Sequence, residues 1–301
     1  MAIATYTNQR ESEMYGTDSK HYSVEGNVHQ FTFDNWYDYI ALAETGETTM
    51  TERASRKEYD DYSSSWTLGS SWENAIELGR FGWQAGTDQL TDSIKSFESV
   101  LPSHRVRLET SMDITGPGVL DFGRWATGHP EAWIVQQETE INDPHAGDII
   151  RIVFNISASS GVESSEMLDK GATIVGLIDL LERSGKRVEL DLVHGTRPNN
   201  ISIRVRVRVK EANAPIDIER IAFALAHPAS FRRIGFSIWE QAAPAARKAC
   251  SIPGGYGRCE DWAEPDALYV PSSDMANFRD EARRVAWVTE QLTAQGVTFD
   301  T

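Results

Sequence analysis

Three polar side chains at alternate positions, Asn155, Ser157 and Ser159, stand directly after an apolar run in the stretch IIRIVFNISAS. The apolar run is typical of a buried strand, and the segment after the serines predicts a helix. Oxygen atoms that converge at a strand end can coordinate a hard cation such as Mg²⁺, and a helix N-terminus attracts anions. The alternative is structural: the serines cap the helix, and Asn155 bonds to backbone groups of the loop.

Alternating strands and helices are predicted from residue 148 onward, and they would position these side chains. The predicted strands are DIIRIVFNIS, KRVELDLVHGT, ISIRVRVRVK, FRRIGFSIWE and DALYVPS, with VTFDT as a short edge strand. The predicted helices are SSEMLDKGATIVGLIDLLERSG, IDIERIAFALAH and SDMANFRDEARRVAWVTEQLTAQG. This order favours an α/β fold with a doubly wound, mostly parallel sheet, which collects ligands at the carboxyl ends of its strands.

The first half of the chain lacks this alternation and predicts an N-terminal lobe of mixed α+β structure. Ser70 and Ser71 ahead of Glu73 predict the N-cap of a helical hairpin. Turn residues in INDPHAG predict the boundary, which gives an N-terminal lobe of residues 1–146 and an α/β domain of residues 147–301. The parts of the lobe are, in chain order, an irregular arm (1–30), a loop (45–65), the helical hairpin (70–101) and strands around a Gly-Pro-Gly turn (104–141).

The predicted strand ISIRVRVRVK alternates apolar and basic residues. Its basic face carries Arg204, Arg206, Arg208 and Lys210, while branched apolar residues form the other face. A central parallel strand would be apolar on both faces, so this pattern predicts a strand at the edge of the sheet. The charges either protect that edge from aggregation or form a basic stripe for an acidic partner or a nucleic-acid backbone.

The stretch NISAS resembles the Asp-x-Ser-x-Ser motif of von Willebrand factor A domains. The similarity continues through GATIVGLIDLLERSGKRVELDLVHGT, which resembles the first helix and second strand of the magnesium and cobalt chelatase type. ASFRRIGFSIWEQAAP is similar in layout to the fourth strand of these domains and the acidic turn after it. The resemblance covers residues 148–300, implies an antiparallel third strand at the edge, and implies a Mg²⁺ site at Asn155, Ser157, Ser159 and Glu240.

Two departures from the family pattern fall on these site residues. Asn155 stands where the motif has its leading aspartate, and Glu240 stands near a second aspartate without the glycine that follows it. The metal-binding threonine of the family has no counterpart that we can place. Because Mg²⁺ favours anionic oxygens, we predict a degenerate site with weak or lost metal binding, and no bound cofactor.

Composition limits the classes of function. The chain has 301 residues, 40% of them hydrophobic, and a formal net charge of −16. That charge argues against a general nucleic-acid coat but leaves room for a local basic patch. No window approaches the roughly 18 apolar residues of a membrane span, and the N-terminus lacks the features of a signal peptide. We therefore predict a cytoplasmic protein with no membrane association.

Cysteine usage and catalytic motifs add little chemistry. Cys250 and Cys259 are the two cysteines, and without a secretory signal two reduced thiols are expected, with a disulfide or a weak zinc site as alternatives. The sequence contains no phosphate-binding G-x-x-x-x-G-K-[ST], zinc-protease H-E-x-x-H or hydrolase G-x-S-x-G motif. These patterns favour a protein that is not an enzyme.

The whole chain loosely resembles uncharacterised proteins of tailed bacteriophages, in segments such as DITGPGVLDFGRWATGHPEAW. Together the patterns favour a phage-encoded, non-enzymatic interaction or adaptor protein in the host cytoplasm. The resemblance to chelatase-type domains implies an AAA+ ATPase as the partner. The alternatives are a nucleic-acid-associated phage factor that uses the basic strand, and a structural component of the virion.

Overall fold

The computed structural model describes residues 20–48, 50–57, 66–98, 107–114, 119–139, 147–254, 256, 258–262 and 264–297. The predicted edge strand VTFDT, apart from Val297, and most of the predicted INDPHAG boundary lie outside these residues. Nine strands fall within them: β1 Tyr22–Glu25, β2 Val28–Phe33, β3 Arg107–Asp113, β4 Val119–Leu120, β5 Trp133–Thr139, β6 Ile149–Asn155, β7 Arg187–Thr196, β8 Ser202–Lys210 and β9 Leu268–Val270.

The helices of the described residues lie between these strands. They are α1 Trp36–Thr45, α2 Trp72–Phe81, α3 Gln84–Glu98, α4 Phe122–Ala126, α5 Ser164–Arg183, α6 Ile218–Ala226, α7 Phe236–Trp239, α8 Pro244–Ala249 and α9 Glu281–Ala294. A π-helical turn, Ser230–Gly235, runs into α7, and 3₁₀ turns span Ala54–Arg56 and Ala276–Phe278. None of these helices is long and apolar enough to cross a membrane.

The protein is an α/β protein with a mostly parallel, six-stranded mixed sheet. The strand order is β1-β2-β8-β7-β6-β9. The pairs β2/β8, β6/β7 and β6/β9 are parallel, whereas β1/β2 and β7/β8 are antiparallel. The helix α5 connects the parallel neighbours β6 and β7, as the strand-helix-strand pattern predicts. A second sheet, in the order β3-β5-β4, is entirely antiparallel.

One face of the six-stranded sheet carries the main hydrophobic core. Phe31, Phe154, Leu192 and Val205 contribute to it from four neighbouring strands. Buried apolar residues of α1, α2, α3 and α5 to α9 belong to the same cluster. For the part of the chain that the structure describes, the helices therefore share a core with one face, and a second helical layer of a doubly wound sheet is not found there.

Side-chain caps explain where several helices begin. Ser71 accepts a hydrogen bond from the backbone N–H of Asn74 and begins α2, as the sequence predicts. Glu163 and Glu166 form a reciprocal capping box at the start of α5. The capping role that we considered for Ser157 and Ser159 therefore falls to Glu163, which lies closer to the first turn.

Three sequence predictions about the elements are wrong. FRRIGFSIWE, predicted as a strand, forms the π-helical turn and α7. Residues 22–33, of which 22–30 were predicted to lie in an irregular arm, form β1 and β2 and join the six-stranded sheet. β8 is not an edge strand, because it lies between β2 and β7. The division at 146/147 stays a prediction, but the sheet contains strands from both sides of it.

Candidate functional site

The predicted metal residue Asn155 ends β6 and is completely buried. Its Nδ2 donates to the carbonyl of Glu260 at 2.8 Å, to Asp261 Oδ1 at 2.9 Å and to the hydroxyl of Tyr269 at 3.1 Å. Its Oδ1 accepts the backbone N–H of Ser157 at 3.0 Å. The amide thus joins the end of β6 to the loop before β9 and to β9 itself.

The other predicted metal ligands have different surroundings. Ser157 is buried, and its Oγ accepts the backbone N–H of Gly195 at 3.1 Å, whereas Ser159 is exposed. Glu240 is buried beside α7, where its carboxylate accepts the backbone N–H of Ser55 at 2.9 Å.

The structure therefore brings Asn155 and Ser157 together and places Glu240 in a separate network. No group of three or more His, Cys, Asp or Glu side chains in the described residues is arranged to hold a metal ion. Mg²⁺ binding at the degenerate site stays a prediction.

A buried ammonium group that the sequence did not single out lies at the same end of β6. Lys170 of α5 donates to the carbonyl of Pro271 at 2.5 Å, and its Nζ lies 3.5 Å from the carbonyl of Asn155. Burial lowers the pKa of Lys170 to about 8, against the opposing effect of the Asp261 carboxylate. The sequence signal was a lysine within the otherwise apolar face of a helix. A positive charge thus already occupies the region where a metal was predicted.

Asp261 supplies the negative charge of this centre. Its carboxylate accepts the backbone N–H of Ser272 at 2.6 Å, the Ser272 hydroxyl at 2.9 Å and the Tyr269 hydroxyl at 2.9 Å. Burial alone would raise the pKa of Asp261, but these hydrogen bonds outweigh it and hold the pKa below its usual value. The arrangement fixes two loops at the carboxyl ends of β6 and β9.

The face of the sheet opposite the main core is charged. Asp191 of β7 is buried and lies 2.5 Å from Arg208 Nε, 3.1 Å from Arg151 Nη2 and 3.4 Å from Arg206 Nη1. Arg204 pairs with Glu260 at 2.5 Å. The guanidinium groups are only partly exposed and each has a carboxylate partner.

In the predicted basic stripe, the charges of Arg204, Arg206 and Arg208 are thus each paired with a carboxylate of the protein. Lys210 does not share their face, because a register shift between Leu190 and Asp191 turns it toward the helices. There its ammonium group pairs with Glu182 at 2.5 Å. Nucleic-acid binding by these residues stays a prediction, and a phosphate backbone would have to compete with the internal carboxylates.

The two cysteines are not joined in a disulfide. Burial raises the pKa of both Cys250 and Cys259 to about 11, so each is protonated at neutral pH. The structure therefore agrees with the expected reduced state and gives neither thiol the character of a nucleophile.

A set of exposed apolar side chains in and next to the second sheet, here called the apolar patch, was not predicted from the sequence. We define it as Ile114, Val119, Phe122 and Trp125, whose exposed fractions are 62%, 71%, 69% and 57%. The rings of Phe122 and Trp125 lie 5.3 Å apart on α4, and Val119 pairs with Ile134 of β5. Large apolar side chains in such a group are typical of interaction surfaces.

The fold and these surfaces define an α/β protein with a six-stranded mixed sheet and a second sheet that exposes apolar side chains. The chain belongs to the DUF7192 family, a domain of unknown function, whose family model matches residues 9–298. That match extends across the predicted boundary at 146/147. No curated protein and no solved structure matches the chain.

Proposed function

We propose that the protein is a non-enzymatic interaction protein of the adaptor type, and that the apolar patch is its contact surface. The single observation that carries this proposal is the exposure of Phe122 and Trp125, both more than half accessible on one short helix. Aromatic side chains are enriched in protein interfaces because each buries a large apolar area with few torsions to order. A protein partner with complementary apolar side chains would remove this surface from water.

The sequence resemblance suggests the partner. A von Willebrand A-like domain of the chelatase type in residues 147–301 would fit an AAA+ ATPase partner, so that class is the first to test. The parallel neighbours β6, β7 and β9 beside the antiparallel β8 support the resemblance, although β8 is not at the edge and the segment compared with the fourth strand is helical. A phage origin and action in the host cytoplasm belong to the same proposal. The nucleic-acid and virion alternatives stay predictions.

A site-specific photocrosslinker tests the contact surface. The reactive side chain replaces Phe122 in one sample and Phe81 in another, in the cells that naturally contain the protein. Phe81 is the matched control because it is an exposed phenylalanine on α2, outside the apolar patch. We expect one protein to crosslink at position 122 and not at 81, and mass spectrometry to identify it as an ATPase.

A second variant shows whether the patch itself binds. Trp125→Ser should remove the crosslink at position 122, while the protein keeps its unfolding midpoint because surface substitutions usually change stability by less than about 0.5 kcal/mol. Equal crosslinking at 122 and 81 would contradict the proposal. Crosslinking only to a second copy of the chain would show self-association and exclude the adaptor role.

A further inference from the structure

An open cavity of about 720 Å³ lies between the 3₁₀ turn Ala54–Arg56 and the loop at Pro253. Among the described residues that line it, Arg53, Arg56 and Lys57 are basic and Glu52 is acidic. This described part of the lining is thus net basic in a chain whose formal net charge is −16. This positive lining is therefore a local feature and not a general property of the surface.

Hydrogen bonds with the buried side chains of Glu240 and Arg233 hold the backbone of the 3₁₀ turn Ala54–Arg56. The Glu240 carboxylate accepts the backbone N–H and, at 2.5 Å, the hydroxyl of Ser55. Arg233 donates to the carbonyls of Ser55 at 3.0 Å and Lys57 at 2.7 Å. Glu240, predicted as a metal ligand, is therefore a positioning residue for the wall of this cavity.

Two guanidinium groups in the wall have unused donors. The guanidinium group of Arg53 makes no hydrogen bond or ion pair with the described residues. Arg56 stacks over Trp72 at 4.7 Å and donates from Nη2 to the carbonyl of Glu44, but its buried Nε has no hydrogen-bond partner. A buried donor without a partner is unfavourable, and an acceptor that reached it would supply the missing hydrogen bond.

Electrostatics favours an anion at the same place. Burial lowers the pKa of Arg56, and the nearby charge of Arg53 lowers it further, while Glu240, Glu73 and Glu44 oppose the shift. An anion between the two guanidinium groups would relieve their repulsion. Guanidinium groups also match the geometry of phosphate oxygens, to which they donate in pairs.

We propose that this cavity binds a small organic phosphate, with Arg53 and Arg56 as the groups that hold the phosphate. Pockets of roughly 300–1,000 Å³ suit ligands up to the size of a nucleotide. This cavity does not include any residue of the apolar patch, so its test does not depend on the adaptor proposal.

Isothermal titration calorimetry at low salt tests the site, with pyrophosphate and ATP as probes and adenosine as the uncharged control. EDTA in the buffer removes divalent cations, so that the measured heat comes from binding of the anion without a metal ion. We expect saturable binding of both phosphate probes at one site and none of adenosine. Arg53→Gln should weaken binding by about tenfold or more, because it removes one charge-assisted contact.

Two controls make the result decisive. Arg279→Gln removes an exposed arginine outside the cavity and should leave binding unchanged. Thermal unfolding should show that Arg53→Gln remains folded, since the guanidinium group of Arg53 makes no hydrogen bond or ion pair with the described residues. No binding of either phosphate probe to the wild type, or equal binding by wild type and Arg53→Gln, would overturn the proposal.

Discussion

Asn155 and Lys170 show what could be predicted about single residues. The strand end at Asn155 followed from the apolar run before it, because alternation and turn residues are local signals. The ammonium group of Lys170 was not predictable, because its acceptor, the carbonyl of Pro271, lies 101 positions further along the chain. The sequence identified the correct end of the strand but not the charge that the fold places there.

Two buried histidines make the free energy of unfolding depend on pH. His194 Nε2 shares a hydrogen bond of 3.1 Å with the Tyr39 hydroxyl, and the tautomer of the imidazole decides which of the two donates. Burial lowers the pKa of His194 to about 3. Burial lowers the pKa of His227 to about 4. Between about pH 6.5 and 4 both imidazoles are mostly neutral in the folded protein, whereas histidines of the unfolded chain bind protons there. The free energy of unfolding should therefore fall as the pH is lowered from about 6.5 to 4, by about 1.4 kcal/mol per pH unit for each histidine.

Urea unfolding at several pH values measures this slope. His194→Gln should reduce it by the contribution of one histidine, because glutamine takes up no proton on unfolding. His129→Gln is the matched control, since it removes an exposed imidazole in place of a buried one. Identical slopes for His194→Gln and the wild type would show that His194 does not contribute.

At the scale of elements, the alternation of apolar and basic residues in β8 identified a strand with one polar face. It did not identify the strands that pair with β8. The inference to an edge assumed that a polar face means a missing partner strand. In the structure β2 pairs with β8, and the carboxylates of Asp191 and Glu260 satisfy the arginines from the same face. The pairing of β2 with β8 joins residues 174 positions apart, such as Val28 and Ser202, and the alternation of residue types along one strand does not encode such a distant partner.

The segment FRRIGFSIWE was predicted as a strand, but it is helical in the structure. Its β-branched and aromatic residues favour a strand, yet Phe231, Ile234 and Ile238 stand three and four positions apart, which is the spacing of one helical face. All three are buried in the main core. Short apolar runs of this kind are ambiguous between strand and helix, and here tertiary packing decided the outcome.

The pairing of β2 with β8 can be tested by one substitution. Phe31 is completely buried in the main core, so Phe31→Ala should lower the free energy of unfolding by about 3–5 kcal/mol. Thr32→Ala, on the exposed face of the same strand, should change it by less than about 0.5 kcal/mol. Chemical denaturation measures both. Similar small effects would mean that residues 28–33 are not part of the sheet.

At the scale of the molecule, the segments before residue 57 complete the core of the segment after residue 147. Tyr39 reaches His194, Ser237 donates to the carbonyl of Ala43, and Ser55 satisfies the buried carboxylate of Glu240. These contacts cross the predicted boundary and each involves a buried polar group. Removing one side would leave the other with unsatisfied donors and acceptors in its interior.

A fragment of residues 147–301 should therefore not fold alone. It would expose the edge of β8, the face of its sheet that packs against α1, and the buried Glu240 without its Ser55 partner. We expect it to lack a cooperative unfolding transition and to aggregate through the open edge. In contrast, a protease site inserted at residue 143 of the full chain should yield two halves that stay associated on gel filtration, because the contacts between them do not depend on the connecting peptide. Cooperative unfolding of the isolated fragment, or separation of the halves after cleavage, would instead establish 147–301 as an independent domain.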